Sequence, residues 1–330
     1  MKRLVLKLGS QCNWHCKHCH NKEVNFKYNK DILDYIKNNG YERITFSGGE
    51  PCLYFNTVEK ICNYLGKNYV YRMVTNGSLL DRKWVSLIGD YNINVILSFD
   101  GSDGHRSENP PINWRFFANC KHPQFSTVVY HDNMNFKKIH KELMEKCAYY
   151  RIKPKLSLQP EFIHQTSKVC DNTTFEDAQS YCKQMAEIIE PEIIALTLTS
   201  EDKRKQKFYE SHTLRKSIGK WLFSYPKQRG IRCFNENLHN MTLDGRFILC
   251  PYNDSKVVGD IYKGIDYDIV ESYLPERCLS CSIKDICRGS CVENVTKNEC
   301  YIARTMNRWL EKVMARYNCK DMIISLWKTL

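Results

Sequence analysis

Residues 12–19 read CNWHCKHC, which places Cys12, Cys16 and Cys19 in the pattern Cys-x3-Cys-x2-Cys. The stretch directly follows an apolar run at residues 4–8 that predicts the first strand of a sheet. Three thiolates on one short loop can ligate three irons of a cubane iron–sulfur cluster and leave the fourth iron to a small molecule. This spacing arises by chance in about 5% of chains so rich in cysteine, so the prediction needs support from the rest of the sequence.

The composition indicates a globular chain that uses cysteine for more than packing. The sequence has 330 residues, 42% of them apolar, with 15 glycines, 10 prolines and 17 cysteines. No run approaches the roughly 18 apolar residues that span a bilayer, and Lys7 interrupts the first apolar stretch too early for a signal peptide. We therefore expect a soluble cytoplasmic protein without a membrane partner, in which cysteines ligate metal rather than form disulfides.

The first half alternates short apolar runs with segments of helical spacing. Helical spacing occurs around residues 32–36 and 58–65. Strands that alternate with helices imply βαβ units and a parallel sheet, here an α/β fold of the partial (β/α)6, TIM-like barrel type. Ligands bind such sheets at the carboxyl ends of the strands. The predicted strands are residues 4–8, 44–46, 69–74, 93–99, 125–130 and 155–158.

A second motif, FSGGEP at residues 46–51, follows the second predicted strand. Two glycines let the backbone approach a ligand closely, and a glutamate accepts hydrogen bonds from an ammonium group. Placed about 30 residues after the three-cysteine loop, the motif closely resembles the radical S-adenosylmethionine (SAM) superfamily. The resemblance implies a [4Fe–4S] cluster whose open iron is chelated by the amino and carboxylate groups of SAM. It also implies that Gly48, Gly49, Glu50 and Pro51 hold the SAM amino group.

Further residues match the superfamily at later strand ends. Residues 75–77 read TNG after the third strand, and residues 98–101 read SFDG after the fourth, similar to the family's Ser-x-Asp-Gly. The resemblance implies contacts with the rest of SAM from Asn76, Ser98, Asp100 and Gln159. For Arg106 two readings stay open, a contact with the SAM carboxylate and a solvated loop residue. His18 stands where the family usually has an aromatic residue that packs near the adenine.

The C-terminal cysteines form a second ordered pattern. It reads Cys-x11-Gly-x4-Cys, and after a gap Cys-x2-Cys-x5-Cys-x3-Cys-x8-Cys. The order resembles the SPASM domain, which follows the radical SAM core in peptide-modifying enzymes and binds two auxiliary [4Fe–4S] clusters. By that resemblance the cluster nearer to the SAM site is open to substrate at its fourth position or is completed by Cys170 or Cys182. Its implied ligands are Cys233, Cys250 and Cys291, and those of the distal cluster are Cys278, Cys281, Cys287 and Cys300.

These patterns divide the chain into four predicted parts. Residues 1–190 form the barrel, residues 191–232 a helical bridge, and residues 233–300 the small cysteine-rich SPASM domain. An amphipathic helix is expected at residues 301–330, where apolar side chains recur at helical spacing.

The resemblance implies a radical SAM/SPASM peptide maturase. Such an enzyme generates a 5′-deoxyadenosyl radical and abstracts hydrogen from a ribosomally made precursor peptide, to install a thioether or carbon–carbon crosslink. The net charge of +12 suits a peptide with an acidic leader, although a solvated lysine-rich surface explains it equally well. Because only 11 residues precede Cys12, leader recognition is expected from a separate protein, the SPASM domain or the C-terminal helix. The electron donor is expected to be a flavodoxin or a ferredoxin.

Two other functions remain as alternatives. The first is an anaerobic sulfatase-maturing enzyme that forms formylglycine. In those relatives an aspartate base directly follows the cysteine at the Cys250 position, whereas here Pro251 follows it. The second is a zinc-binding nucleic-acid-binding protein, with four C-terminal cysteines in one zinc knuckle and His15, His18 or His20 completing the first loop. Neither zinc nor nucleic acid explains the GGEP motif, so nucleic acid is not the expected partner.

Overall fold

The computed structural model describes residues 1–19, 26–104, 106, 110–120, 123–152, 160–162, 173–223, 228–251, 253–289 and 296–329. Its first half alternates strands with helices, as the sequence predicts. The strands are β1 (Lys2–Lys7), β2 (Tyr41–Ser47), β3 (Val70–Thr75), β4 (Asn94–Ser98), β5 (Gln124–Val129) and β6 (Pro160–Phe162). The helices between them are α1 (Asp31–Asn38), α2 (Phe55–Leu65), α3 (Arg82–Tyr91), α4 (Trp114–Phe117) and α5 (Phe136–Tyr149).

Neighbouring strands from β1 to β6 pair in parallel and in sequence order. Alternate residues of β1 to β5 face the helices and are buried, for example Ile44 and Phe46 on β2. The helices present matching apolar faces, such as Ile32 and Ile36 of α1. Burial of each such side chain contributes about 1.5–3 kcal/mol, so this layer holds the parallel sheet and its helices together.

Three long helices follow the parallel strands, α6 (Phe175–Thr197), α7 (Glu201–Glu210) and α8 (His212–Trp221). A capping box starts α6, in which the Thr174 hydroxyl accepts from the Asp177 amide and the Asp177 carboxylate accepts from the Thr174 amide. The predicted domain boundary at 190/191 falls inside this continuous helix, beside Pro191. The bridge is therefore continuous with the barrel.

The C-terminal half continues the same sheet. Its strands are β7 (Gly230–Ile231), β8 (Phe234–Asn235), β9 (Leu238–Thr242), β10 (Arg246–Cys250), β11 (Asn253–Asp260) and β12 (Gly264–Ile265). Strand β9 pairs with β1 in parallel, and β10, β11 and β12 extend the sheet beyond it as antiparallel neighbours. The cysteine-rich region is thus hydrogen-bonded to the first strand of the barrel.

Five more helices complete the described chain: α9 (Tyr267–Ser272), α10 (Glu276–Leu279), α11 (Lys284–Cys287), α12 (Lys297–Arg316) and α13 (Lys320–Lys328). Helix α12 packs on α6 and α8, and the Asn307 amide donates to the Trp221 carbonyl oxygen at 2.8 Å. The C-terminal helix therefore belongs to the body of the protein. None of the helices within the described ranges combines the length and apolar character that a membrane span requires.

The fold-class prediction is confirmed: six parallel strands form a partial barrel, and a cysteine-rich region follows. The bridge predicted at residues 191–232 contains α7 and α8, which meet at Ser211. Two details differ from the sequence-based expectation. The single helix expected at residues 301–330 is divided into α12 and α13 near Asn318, which adopts a left-handed conformation with φ of 47°. The sixth predicted strand, residues 155–158, lies outside the described residues, and the described β6 begins at Pro160.

Candidate active site

The loops that follow β1, β2, β3 and β4 meet at the carboxyl edge of the parallel sheet. The loop after β1 carries the three cysteines, and the loop after β2 carries the two glycines. Backbone hydrogen bonds join these two loops, from the Gly49 amide to the Gly9 oxygen at 2.9 Å and from the Glu50 amide to the Gln11 oxygen at 2.8 Å. The glycine loop therefore supports the start of the cysteine loop.

Glycine is required at positions 48 and 49 because the backbones of the two loops nearly touch. A Cβ atom at Gly48 would lie 2.3 Å from the Gly9 oxygen, and one at Gly49 would lie 2.0 Å from the Gln11 oxygen. Gly48 also has φ of 145°, which side chains rarely adopt. The close approach predicted from the sequence is thus made, at least in part, to the protein's own cysteine loop.

Glu50 is buried and braces the ends of two strands. One carboxylate oxygen accepts from the Thr75 hydroxyl at 2.6 Å and from the Cys52 amide at 2.9 Å. The other accepts from the Asn76 amide at 2.7 Å. Burial raises the pKa of Glu50, and these hydrogen bonds oppose the rise. Three of about four acceptor positions of the carboxylate are therefore used by these groups, and the Cys52 thiol also interacts with the carboxylate.

Asn76 joins the end of β3 to the cysteine loop. Its side-chain amide donates to the Asn13 side-chain oxygen at 3.0 Å and lies 4.0 Å from the Cys12 sulfur. The Ser78 hydroxyl donates to the Asn76 side-chain oxygen at 2.7 Å and accepts from the Asn13 amide at 2.8 Å. The sequence predicted Asn76 but missed Asn13 and Ser78, although Asn13 lies within the cysteine motif itself.

The three cysteines of the loop differ in exposure. Cys12 and Cys16 are partly buried, whereas Cys19 is exposed. Burial raises the pKa of the Cys12 thiol to about 11, and the charges of Glu50, Cys16 and Cys19 add to the rise. Within the described ranges, no three Cys, His, Asp or Glu side chains are already arranged to hold a metal ion.

The donor set nevertheless fits a cluster with one open iron. Three thiols lie on one loop, and the charges of Cys16 and Cys19 act on the Cys12 thiol. The loop itself is anchored, because the Trp14 indole N–H donates to the Pro110 oxygen at 2.8 Å and the Trp14 amide contacts the Cys12 sulfur at 3.4 Å. Ligation by iron would have to displace the Cys12 proton against this raised pKa, as metals do with coordinating thiols.

A buried ion pair occupies the end of β4. One Asp100 oxygen accepts from Arg106 Nη2 at 3.0 Å and from the Val128 amide at 2.9 Å, and the other lies 2.8 Å from Arg106 Nε. Burial raises the pKa of Asp100, and the charge of Arg106 opposes the rise. Arg106 is therefore not the solvated residue that one reading expected, and its guanidinium is directed at Asp100.

The remaining predicted SAM contacts lie around this pair or outside the described residues. His18 Nε2 is 3.8 Å from an Asp100 oxygen, and the His18 ring lies 5.9 Å from the Tyr130 ring between centroids. Ser98 is the last residue of β4 and pairs in register with Ser126. Gln159 is outside the described residues, so its predicted contact stays a prediction.

Four C-terminal cysteines lie within electrostatic range of one another: Cys278 on α10, Cys281 just after it, Cys287 at the end of α11 and Cys300 on α12. Burial raises the pKa of the Cys278 thiol, and the neighbouring thiols of Cys300, Cys287 and Cys281 raise it further. Arg304 donates to the Cys281 sulfur at 3.5 Å. The charge of Arg304 helps to lower the pKa of Cys281 against the effect of burial.

The side chain of Asn240, on β9, joins the backbone segments that carry Cys233 and Cys250. The Asn240 amide donates to the Cys233 oxygen at 3.1 Å and to the Leu249 oxygen, next to Cys250, at 3.0 Å. The Cys287 loop is tied to the same region, because the Arg288 guanidinium donates to the Gly230 and Gln228 backbone oxygens. The third predicted ligand of this group, Cys291, lies outside the described residues.

Residues 6–151, which include the cysteine loop, the glycine loop and strands β2 to β5, match the family model described as the Radical SAM superfamily. This part of the chain is a radical SAM domain. Such a domain implies a [4Fe–4S] cluster that binds SAM, and the thiols of the first loop have the chemistry to hold it.

Several curated relatives share this radical SAM domain. An uncharacterized protein of Methanocaldococcus jannaschii is 38% identical over 112 residues, which is 31% of this chain and 39% of that protein. The radical SAM cyclopropyl synthase TigE of Paramaledivibacter caminithermalis is 30% identical over 138 residues, 33% of this chain and 29% of TigE. The match thus spans less than half the length of either relative.

Solved structures of radical SAM proteins resemble the chain over most of its length. The structure of native anSMEcpe with bound AdoMet has a TM-score of 0.62 at 17% identity and covers 96% of this chain and 99% of that one. Streptococcus suis SuiB bound to S-adenosylmethionine has a TM-score of 0.58 at 18% identity and covers 88% of this chain and 73% of SuiB. At these identities the likeness concerns the fold, and it includes the C-terminal half.

Proposed function

We propose that this radical SAM enzyme is a SPASM-type peptide maturase, which crosslinks a ribosomally made precursor peptide and uses two auxiliary [4Fe–4S] clusters. The observation that carries the proposal is the proximity of Cys278, Cys281, Cys287 and Cys300, whose thiols influence one another electrostatically. Four thiolates are the usual ligands of a cubane cluster. A radical SAM domain that is followed by a four-thiol site fits chemistry that needs more than one electron carrier.

Positive charge near these thiols supports a cluster rather than a packed core. Arg304 contacts the Cys281 sulfur, and the charges of Arg277 and Arg304 act on Cys300. Four thiolates bring four negative charges, which guanidinium groups partly compensate. Packed core cysteines, such as Cys62 on α2, are instead surrounded by apolar side chains.

The other auxiliary cluster is assigned to Cys233, Cys250 and Cys291. Asn240 and Arg288 support this assignment, because they tie the segments next to Cys233, Cys250 and Cys287 together. Strand β9 pairs with β1, so this group is joined directly to the strand that leads into the SAM loop. With three cysteines, its fourth position is left for a substrate group or for Cys170 or Cys182.

When bound and reduced, the first cluster and SAM supply a 5′-deoxyadenosyl radical that takes a hydrogen atom from the substrate. The chain's own part is to hold and orient the cofactor. Gly48, Gly49 and Pro51 shape the loop beside Cys12, and the proposed contact of Glu50 is with the SAM ammonium group. Asn76, Ser98, Asp100 and Gln159 remain the proposed contacts with the rest of SAM.

A peptide substrate is supported by what the structural neighbours bind. SuiB has been solved with its precursor peptide SuiA, and anSMEcpe with a Kp18Cys peptide. The net charge of +12 would favour an acidic leader. The proposal also includes a flavodoxin or ferredoxin as reductant, a separate leader-recognition protein and a cytoplasmic location. A cytoplasmic location agrees with a thiol-rich chain, since reducing compartments keep thiols free.

Iron and sulfide counts test the cluster assignment. Three cubanes give about 12 irons and 12 sulfides per chain after anaerobic reconstitution, and replacement of Cys278, Cys281 and Cys287 by Ala should leave about eight. A matched control, Cys62→Ala, should keep the full count. Four irons in the wild-type protein, or a full count in the triple variant, would remove the auxiliary clusters from the proposal.

The substrate class is tested with two peptides. A precursor peptide encoded beside the gene should lose hydrogen, and its crosslink should appear in tandem mass spectra. A peptide carrying a sulfatase cysteine motif should stay unchanged. Conversion of that cysteine to formylglycine would replace the proposal by the sulfatase-maturing alternative. That alternative is tested because the fold of anSMEcpe resembles this chain over 96% of its length.

A further inference from the structure

Three arginines lie side by side on the inner face of the sheet. Leu4 and Leu6 of β1 are fully buried on the helix-covered face, so Arg3 belongs to the opposite one. The same alternation puts Arg43 of β2 and Arg72 of β3 on that inner face. Arg3 is the direct cross-strand partner of Arg43, and Arg72 pairs two positions further along β2.

Like charges placed opposite each other on neighbouring strands destabilise a sheet. Burial lowers the pKa of Arg43 to about 10, and the charges of Arg72 and Arg3 contribute to that fall. The pKa of Arg72 is lowered by burial and by the charges of Arg3 and Arg215. Repulsion among these guanidinium groups is therefore part of the folded structure.

Arg215 brings a fourth guanidinium to the group from helix α8. It lies 4.8 Å from the centroid of the Tyr209 ring, and Tyr209 also interacts with Arg43. The acid that faces Arg215 is Glu192, whose carboxylate accepts from the Leu214 amide at 2.7 Å. Burial raises the pKa of Glu192 to about 7, so it is only partly ionised at neutral pH.

The second acid near the group is Glu42, which neighbours Arg43 along β2. Its carboxylate binds the N-terminal ammonium group at 3.4 Å and the Lys2 amide at 3.0 Å, and 59% of its side chain is exposed. Among the residues that the structure describes, four guanidinium groups thus have two carboxylates near them, and both carboxylates also accept hydrogen bonds from other groups.

Two buried donors of this group, one on Arg43 and one on Arg215, have no hydrogen-bond partner among the described residues. The Nε atoms of Arg43 and Arg215 are shielded from solvent and make no hydrogen bond within the described part of the chain. Arg72 contributes one long bond, from Nη2 to the Gln124 side-chain oxygen at 3.3 Å. Guanidinium donors arranged in this way match the oxygens of carboxylate and phosphate groups, which they bind in pairs.

We infer that Arg43, Arg72 and Arg215, with Arg3 beside them, form a binding site for a carboxylate or phosphate group of the substrate. From Arg43 to Ser47, at the carboxyl end of β2, the strand advances about 13 Å. A ligand that reacts at that end and reaches these arginines spans about four extended peptide residues. Assigning the anion to the substrate rests on the proposed function, whereas anion binding itself does not.

The test measures anion binding by the reconstituted protein in chloride buffer of constant ionic strength. Inorganic phosphate and glutarate are titrated separately by calorimetry into the wild-type protein, R43Q, R72Q and the control R82Q. Arg82 is an exposed residue at the start of α3 and lies outside the arginine group. We expect the Kd of the preferred anion to rise at least tenfold in R43Q and R72Q and to stay unchanged in R82Q. Tighter binding of glutarate would indicate a peptide carboxylate, and tighter binding of phosphate a phosphorylated substrate.

Thermal unfolding in the same buffer separates a binding site from a structural cluster. Because R43Q relieves repulsion, it should melt at the wild-type temperature or above it without added anion, and gain less than the wild-type protein from phosphate or glutarate. A lower melting temperature for R43Q without anion, or no binding of either anion to the wild-type protein, would overturn the inference. Anion binding without peptide crosslinking would remove the proposed function and leave the site intact.

Discussion

Replacing Gly49 by alanine tests how the two loops of the radical SAM site depend on each other. The new Cβ would lie 2.0 Å from the Gln11 oxygen and 2.6 Å from the Ser10 oxygen, both backbone atoms. No side chain can rotate to relieve these contacts, so the loops must separate. Separation would break the hydrogen bonds from the Gly49 and Glu50 amides to the cysteine loop.

The expected cost follows from these contacts. Two backbone hydrogen bonds contribute about 0.5–1.5 kcal/mol each, and overpacking adds about 1–3 kcal/mol, so the free energy of unfolding should fall by about 2–6 kcal/mol. The cysteine loop should also lose its alignment, and the reconstituted variant should contain about four irons per chain fewer than the wild-type protein.

Gly89→Ala is the matched control. Gly89 lies within α3, has no atom within 4 Å of the added Cβ, and should gain roughly 0.5–1 kcal/mol from the better helix propensity of alanine. Both variants are compared by anaerobic urea unfolding and by iron analysis. Wild-type stability and wild-type iron content in G49A would refute the claim that close backbone contact between the loops forms the site.

Three further predictions concern charged groups away from the SAM loop. Burial lowers the pKa of His239 to about 4, so its contribution to the free energy of unfolding is present above pH 6.5 and lost as pH falls through 4. Over that range the free energy of unfolding in urea should fall by about 3 kcal/mol less for H239Q than for the wild-type protein, and equal falls would contradict this. Burial raises the pKa of Glu192 to about 7, so its contribution to the free energy of unfolding is present below pH 4.5 and lost as pH rises through 7. Over that range the free energy of unfolding of E192Q should rise by about 3 kcal/mol relative to that of the wild-type protein, and parallel stability curves would contradict this. Because Arg304 donates to the Cys281 sulfur, R304Q should lower the midpoint potential of the proposed distal cluster by on the order of 10–40 mV in an EPR-monitored titration. The control R308Q, one helical turn away, should leave that potential unchanged, and an equal shift in both variants would deny the contact any role.

The parallel half of the fold was predictable because each strand there is an apolar run that ends at a polar or glycine-rich turn. The helix boundaries were harder to predict. At Ser211 neither glycine nor proline marks the break between α7 and α8, and the break at Asn318 depends on one left-handed residue. The capping boxes at Thr174 and Thr296 are sequence signals that do mark the starts of α6 and α12.

The pairing of β9 with β1 joins residues more than 230 positions apart, and local pattern contains no information about it. The same reason explains what was missed in the site. Spacing identified the cysteines and the glycines, because ligand chemistry and close backbone contact demand those residue types. Spacing did not reveal that Arg106 turns to Asp100, or that Glu50 braces the end of β3, since both contacts depend on how separate loops meet.

The most direct test of the central claim is the formation of 5′-deoxyadenosine from SAM by the reduced, anaerobically reconstituted protein, measured by chromatography. The wild-type protein and the control Cys62→Ala should form it, and the variant with Cys12, Cys16 and Cys19 replaced by Ala should form none. Equal 5′-deoxyadenosine from that triple variant, or none from iron-loaded wild-type protein, would contradict the assignment of the SAM-cleaving cluster to the loop after β1.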